Sequence, residues 1–582
     1  MKRVPDKRDI ANALREIGGY LDLSESNQFK ARAYLNAARQ IESVQMSMAD
    51  FVSSGAIRST PGIGKGIAPV IVELVEKGRS PYLEELRATY PPGILGLIEV
   101  PGLSIKKIRT LHDELGISSI EQLEEACRKN KLVSLPGFGV RTQQKLIEGI
   151  EFTKKHEASF LLSAAVRIAE ELVAGLRELD GVENVALAGT VRRRLEVASD
   201  IVFCLSGPEP ADLLQQVRGL ALLSDPEDLD GGSIRARVAG GPPVVVHACT
   251  TAEFPTVLFL ETGSDPFVRA VVERGSEQGF TLLRDGLRKR GRKVALSDEA
   301  AVFEKLDLPF VPPELRESGQ LPSSRTRMKL VNREDLLGTF HVHSTYSDGK
   351  NSLTEMFGAA RDRAFQYVGI SDHSPTASYA GGLTESRLAQ QQAEVESLRD
   401  QFKPMRIFKG TEADILADGG IDYDNATLAG RFDFVVASIH SRFKMEKDEM
   451  TERIVKALSN PFVTFLGHMT GRKLLSRDGY HADFDRVFDA AAENGVMIEI
   501  NGDPHRLDID WRLIPRALSR GVRFSIHPDA HSISNYNYLE NGTWVARKAG
   551  LPPEMIFNTK PVEEVEEYLA ERKARAVKGT KA

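Results

Sequence analysis

At 582 residues the chain is too long for a single core, and its length predicts roughly four domains. A hydrophobic share of 41% and a charged share of 27% are those of an ordinary soluble globular protein. No run approaches the roughly 18 apolar residues of a membrane span, and the basic start MKRVPDKRDIANALREIGGY has no apolar stretch behind it, so no secretory signal is expected.

Three cysteines, Cys127, Cys204 and Cys249, are odd in number and far apart, which speaks against a disulfide framework or a CxxC zinc site. A reduced, cytoplasmic protein is expected. The net charge of −6 conceals an asymmetry: Lys and Arg exceed Asp and Glu by 4 over residues 1–155 and fall short by 10 over the rest. A mildly basic front is compatible with nucleic acid. Nine of twelve histidines lie between His341 and His531, so metal chemistry is to be sought near the C-terminus.

Along the front, TPGIGKGIA (60–68), VPGLSIKKI (100–108) and LPGFGVRTQQKL (135–146) repeat one pattern: apolar residue, Pro-Gly, apolar residue, small residue, amphipathic helix. The glycines Gly62, Gly64, Gly102, Gly137 and Gly139 allow a sharp turn between helices, and the amides opening the second helix attract a phosphate. Lys65, Lys106, Lys107, Arg141 and Lys145 stand just beyond the turns; Ser104 replaces the second glycine of the middle copy, which is the weakest. The pattern resembles the helix-hairpin-helix module, which grips the DNA backbone without reading bases.

The middle contains AGTVRRRLEVASDIVF (188–203). Gly189, Thr190, Arg192, Arg193, Glu196 and Asp200 match in order and spacing the signature of family X DNA polymerases; ETGSD (261–265) resembles that family's nucleotide-pocket turn, and NQFKARAYLNAARQIES (27–43) its small DNA-end-binding domain. The resemblance implies three metal-binding carboxylates in the palm. Asp200 is the first, but Val202 and His247 occupy the other two positions. An isopropyl group offers magnesium no ligand, and histidine is a poor one. Leu260-Glu261 stands where an aromatic pair is expected, and Val70 where some members carry a lyase lysine. Asp200 is read as a degenerate catalytic remnant, Arg192 and Arg193 as candidates for a phosphate or DNA end, and polymerisation as lost or weak. Glu253 is a conceivable substitute ligand.

Beyond a Pro-rich, charged stretch (309–335), short apolar runs alternate with helical segments, and each run ends in a residue fit to bind metal. These residues are His341, His343 and Asp348; His373; Glu412; His440; His468; then Asn501, and finally Asp529 and His531. Seven strand candidates with intervening helices predict a closed parallel barrel, whose functional residues gather at the C-terminal strand ends. Alternation points His341 and His343 the same way, as it does Asp529 and His531.

Over residues 338–575 the pattern is similar to the polymerase-and-histidinol-phosphatase (PHP) domain. That resemblance implies up to three ions: one on His341, His343, Glu412 and Asp529, a second bridged by Glu412 and held with His440 and His468, a third on Asp348, His373 and His531. Mixed nitrogen and oxygen ligands suit Mn²⁺ or Zn²⁺ better than Mg²⁺, and the resemblance favours Mn²⁺. Such a cluster performs phosphoester hydrolysis. Arg442, Lys444 and Arg472 follow ligand histidines and are candidates for flanking phosphates; the tail EVEEYLAERKARAVKGTKA reads as an exposed helix without function.

The expected organisation is therefore multidomain. Residues 1–80 form a small helical end-binding domain with a hairpin, 81–157 a helical fingers-like domain, 158–252 an α+β nucleotidyltransferase palm, and 253–320 a thumb. A linker (321–337) leads to a distorted (β/α)7 PHP barrel (338–575). The whole resembles the bacterial PolX architecture, which combines gap-filling synthesis with Mn²⁺-dependent 3′→5′ exonuclease and related 3′-end or abasic-site cleavage. The reading adopted is a DNA-repair nuclease, monomeric and without membrane association, that engages gapped, nicked or 3′-ended DNA through a weak or inactive polymerase half. Two alternatives stay open: a bifunctional enzyme that still uses dNTPs, and a DNA-tethered phosphatase.

Overall fold

The computed structural model describes residues 7–24, 28–44, 46–58, 60, 62–156, 159–229, 232–238, 241–322 and 328–579. The chain forms two compact units: Met1–Ser159 with Arg218–Glu227 and Ala236–Pro243, and Phe160–Val217 with Asp228–Arg235 and Val244–Ala582.

Helices built on a 3.6-residue apolar stripe make up the bulk of the first unit. Lys7–Leu23 packs along Gln28–Ser43, burying Ile10, Leu14, Ile17, Tyr34, Ala38 and Ile41. The three Pro-Gly turns share one geometry. Ile63 N donates to Thr60 O at 3.2 Å, Leu103 N to Val100 O at 3.1 Å, and Phe138 N to Leu135 O at 3.0 Å. Gly62, Gly102 and Gly137 sit at φ 87°, 85° and 83°, the left-handed third position of a type II turn that other residues adopt only with strain. Ile63, Leu103 and Phe138 then anchor each turn in the core. Ser104, the outlier of the middle copy, caps its helix instead, accepting from Lys107 N.

In the second unit the palm strand Asn184–Ala188 runs antiparallel to Ile201–Ser206, which pairs in parallel with Pro243–Cys249. Helices Phe254–Thr262, Asp265–Glu277 and Glu299–Lys305 follow, with Phe259, Phe267 and Phe303 mutually in contact at 5.4–6.3 Å between ring centroids.

Seven barrel strands come next: β1 (Gly338–Thr339), β2 (Tyr367–Ile370), β3 (Arg406–Asp414), β4 (Phe434–Ser438), β5 (Phe465–Leu466), β6 (Met497–Asn501) and β7 (Phe524–His527). Each is hydrogen-bonded in parallel to its successor. A bridge between Val342 and Ala530 joins first to last: His343 N donates to Ala530 O at 2.8 Å, and Ala530 N to His341 O at 3.1 Å. That bridge closes the ring where the predicted ligands lie. Phe340, Phe408, Phe434, Phe465 and Phe557 form one aromatic cluster in the barrel core. The C-terminal helix Val562–Gly579 corrects the reading of an exposed tail: it buries Val565, Leu569 and Ala576, and Arg572 donates to Gly495 O at 2.9 Å. Among the described residues no helix is long and apolar enough to cross a membrane.

Candidate metal centre

The ligand candidates converge at the C-terminal mouth of the barrel because each follows or ends a strand of a closed parallel ring. Glu412 lies on β3 and is buried at the centre. Its Oε2 is 3.4 Å from His341 Nε2 and 3.7 Å from His343 Nε2. Asp529 Oδ1 lies 3.5 and 3.4 Å from the same two nitrogens. Four atoms around a tetrahedral ion with ~2.1 Å bonds would be about 3.4 Å apart. On the other side, Glu412 Oε1 is 3.2 Å from His440 Nε2 and 2.9 Å from His468 Nε2. A third group surrounds Asp348, whose Oδ1 is 3.3 Å from His531 Nε2 and 3.6 Å from His373 Nε2. His343 Nδ1, 3.9 Å from Asp348, faces this group as well.

The chemistry of these atoms fits cations. His341 Nε2 and both ring nitrogens of His343 are buried without a hydrogen-bond partner, a loss that a metal ion would make good. Burial would raise the Glu412 carboxyl, yet His440, His373 and His341 hold it well below the usual carboxylate range. Burial likewise opposes the shift at Asp529, which His341 and His343 draw well down. His440 and His531 are lifted to about 9: burial acts against protonation, and Glu412 with Asp414, or Asp348 with Asp529, outweighs it. His343, buried beside His531 and His373, falls to about 3. His468 and Asp529 both adopt positive φ, 24° and 52°, strain typical of a functional site.

Several supporting residues escaped the sequence reading. Glu499, wholly buried, accepts from His341 Nδ1 at 2.5 Å, from His468 N at 3.0 Å and from Asn501 Nδ2 at 2.7 Å, and its Oε2 lies 3.0 Å from His527 Nδ1. Asn501, the last residue of β6, also donates to Asp529 Oδ2 at 3.1 Å. Asp414 holds His440 Nδ1 at 2.6 Å. Carboxylates behind metal-ligating imidazoles fix tautomer and ring orientation. Asp372 gathers Ser344 N, Ser344 Oγ, Ser347 Oγ and Gln391 Nε2 at 2.6–2.7 Å, ordering the loop that carries Asp348. The one available signal was period: Glu499 stands two residues before Asn501 and must face the same side.

Four domain families match the chain: a helix-hairpin-helix domain over residues 5–80, a SAM-like helix-hairpin-helix tandem over 94–151, the DNA polymerase beta thumb over 257–317 and the PHP domain over 339–503. The DNA polymerase/3′-5′ exonuclease PolX of Bacillus subtilis is 33% identical over 97% of this chain and 99% of its own length. The chain belongs to the PolX family. Probable phosphatases of Caldanaerobacter subterraneus and Acetivibrio thermocellus are each 27% identical over 40% of this chain, covering 91% and 95% of their own lengths. It joins a DNA-binding polymerase-type half to a metal-dependent PHP hydrolase.

In this PolX chain the palm positions are occupied in their own way. Asp200 is half-buried, and burial raises its carboxyl against the pull of Arg235, Arg193 and His247. Val202 closes the neighbouring position: a Cβ on Gly189 would come within 2.8 Å of Val202 Cγ2, so only glycine fits beside it. His247 is engaged by Ser233 Oγ at 2.6 Å, Glu261 Oε2 at 3.2 Å and Arg284 Nη2 at 3.1 Å. Glu253, which precedes the helix Phe254–Thr262, accepts from Thr250 N at 3.0 Å and Thr250 Oγ1 at 2.8 Å through Oε2.

Three arginines differ from the expectation of phosphate contacts. Arg192 pairs with Glu299 through two bonds of 2.9 and 2.7 Å and donates to Thr262 Oγ1. Arg193 binds Glu317 at 3.0 Å and Thr262 O at 2.8 Å. Arg472 is tied to Asp510 at 2.7 Å and to the carbonyls of Arg506 and Leu507. Buried Glu299 and half-buried Glu317 and Asp510 claim these guanidiniums, and releasing Arg192 would strand the charge of Glu299. Arg442 and Lys444 are exposed, as are Lys65, Lys106, Arg141 and Lys145; Lys107 is half-buried, its ammonium 5.8 Å from the Phe138 ring centroid.

Proposed function

We propose that this protein is a DNA-end-processing phosphodiesterase: the hairpins grip the DNA backbone, the PHP barrel removes nucleotides from a 3′ end, and the palm does not polymerise. The observation that carries this reading is the convergence of His341, His343, Glu412 and Asp529 within 3.4–3.7 Å, with Glu412 reaching His440 and His468 through its second oxygen. The 3′→5′ polarity is supported by the activity named for the Bacillus subtilis relative.

His341, His343, Glu412 and Asp529 would hold one ion, Glu412, His440 and His468 a second, and Asp348, His373 and His531 a third; Mn²⁺ is the ion assigned, since imidazole and carboxylate are mixed in every group. When bound, such ions supply a water-derived nucleophile near neutral pH and neutralise charge on the phosphate and leaving oxygens. The chain's own part is to hold the geometry: Glu499 and Asp414 set the rings of His341 and His440, and Asp372 the loop of Asp348. The net reaction adds water across the scissile bond, breaking P–O3′ to leave a nucleoside monophosphate and a shortened strand with a free 3′ hydroxyl.

The palm reading rests on Val202 packed against Gly189 and on His247 held within the Ser233–Glu261–Arg284 network. The deciding experiment follows gapped DNA bearing a 3′ label, with Mn²⁺ or Mg²⁺ and with or without dNTPs. Shortening without extension is expected. A second reading, a phosphatase acting on DNA ends, is favoured by the probable phosphatases that match the barrel. It gains if a 3′-terminal phosphomonoester is cleaved faster than any internucleotide bond.

A further inference from the structure

The metal centre opens into a cavity of about 410 Å³ whose two walls differ in chemistry. One wall is Tyr379. Its side chain is 71% exposed, so it adds little to the core, yet its ring centroid lies 6.3 Å from the rings of both His373 and His440. The loop that presents it is held firmly. Ala377 and Ala380 are buried, Leu383 N donates to His373 O at 2.7 Å, Gly382 N to Ala377 O at 3.1 Å, and Gly381 O accepts from Arg387 at 2.5 Å. A large flat side chain, fixed at its base and open on its face, stands beside two ligand imidazoles.

The other wall is cationic. Lys473, Arg477 and Arg506 line it, together with Asp503. Arg477 is occupied by Gly471 O at 2.7 Å and by the Phe443 ring, 3.8 Å away. Arg506 is nearly buried, with Nε 3.5 Å from Asp529 Oδ2 and no hydrogen-bond partner. Lys473 is exposed at the rim, and burial together with Arg506 and Arg477 depresses its ammonium. Asp503 and Asp529 offset part of this charge, and Lys473, exposed at the rim, stands open to a phosphate oxygen.

We propose that this cavity is a subsite for an unpaired 3′-terminal nucleotide: Tyr379 stacks on the terminal base, while Lys473 and Arg506 bind phosphate oxygens beside the metal centre. The proposal rests on the phosphodiesterase reading above and assigns it the residues that contact the terminal nucleotide. An aromatic face accepts any of the four bases, since each has a π-face, so the subsite reads the presence of a base and not its identity. A small phosphomonoester uses the cationic wall alone.

The test uses the full-length protein with Mn²⁺ and two single strands that differ only at the 3′ end, one terminating in thymidine and the other in the abasic tetrahydrofuran analogue. Wild type is expected to release the base-bearing residue with kcat/KM about ten- to a hundredfold higher, the usual worth of one stacked base. Tyr379→Ala should collapse that ratio towards one through KM, and Tyr379→Phe, which keeps the ring, should restore it. Lys473→Gln should raise KM for both strands alike. A wild type indifferent to the base, or a Tyr379→Ala variant that keeps the preference, overturns the stacking role. A Lys473→Gln variant with unaltered KM overturns the phosphate role. A wild type that shortens neither strand overturns the phosphodiesterase reading and this proposal with it, a failure visible before any variant is made.

Discussion

Glu196 of the palm signature accepts a hydrogen bond from Arg512 of the barrel, Nη1 to Oε1 at 2.5 Å, across a separation of 316 residues. Trp511 Nε1 adds a second bond at 3.2 Å, and Arg472 Nη1 lies 3.8 Å away. Nearby, Lys548 donates to Arg193 O at 2.9 Å and to Glu317 at 2.6 Å, while the Arg194 guanidinium lies 4.2 Å from the Trp544 ring centroid. Residues recognisable as a polymerase signature thus form the surface on which the barrel is seated. Burial acts to raise the Glu196 carboxyl, but Arg512 and Arg472 prevail and lower it.

That contact predicts a stability effect. Glu196→Ala removes an acceptor that is 10% exposed and leaves Arg512, itself half-exposed, to solvent. A loss of about 1–2 kcal/mol is expected, at the lower end for a charged hydrogen bond because water can re-solvate Arg512. Denaturant midpoints of the two proteins measure it, and identical midpoints would count against the seating role.

For the metal centre, replacing His341 and His343 together by Ala removes two of the four atoms that surround the first site. Metal content should drop and 3′-end degradation should be lost, with DNA retention in a gel-shift assay unchanged because the hairpin turns lie far along the chain at residues 60–146. Undiminished degradation would show that the ligands are assigned wrongly.

Glu499 is a more sensitive probe because it touches no substrate. Glu499→Gln keeps the volume and an amide oxygen for His468 N, but gives up the charge and the Oε2 acceptor that orient His341. Metal affinity is expected to fall about 10- to 100-fold, the range found for supporting carboxylates, as read by competition with a chelator. Equal affinities would mean that the ring of His341 is set by packing alone.

The palm makes the opposite prediction, of an absence. Primer extension on gapped DNA is expected in neither Mg²⁺ nor Mn²⁺, since Val202 offers no ligand and His247 is held by Ser233, Glu261 and Arg284. Extension that disappears in an Asp200→Ala variant would falsify this.

Asp508 supplies a pH dependence. It is buried, and burial pushes its carboxyl from 3.8 up to about 6, although Arg472 and the bonds from Thr470 pull the other way. The folded state therefore binds this proton more tightly than the unfolded chain. Its stabilising contribution is complete below about pH 4 and is lost as pH rises through about 6. Asp508→Asn should flatten this part of the stability curve, and denaturation midpoints across the window will show whether the two curves diverge.

Much of this molecule was legible because its signals are local. The hairpins announce themselves through Pro-Gly spacing, and the shared positive φ of Gly62, Gly102 and Gly137 is a direct consequence. The nine candidate ligands stand near or beyond strand ends, where apolar runs stop, so the order of the seven strands followed from the pattern as well. Supporting groups were harder. Glu499 lies inside an apolar strand and Asp414 at the end of one, and nothing near them in sequence names the imidazole each will meet. Tyr379 looked like any loop tyrosine.

The arginines were misread for a related reason. A residue type declares its charge but not its partner, and Arg192, Arg193 and Arg472 find theirs 107, 124 and 38 residues away. By itself, then, the sequence determined the hairpins, the barrel and the absence of a carboxylate at Val202 and His247, each written in residue identity at short spacing. Only the tertiary structure decided that the palm signature docks the barrel, that Glu499 ties His341 to His468, and that an open tyrosine shares a cavity with Lys473 and Arg506. Those outcomes depend on which distant side chains the closed ring and its packing bring within a few ångströms, and that is a property of the whole fold.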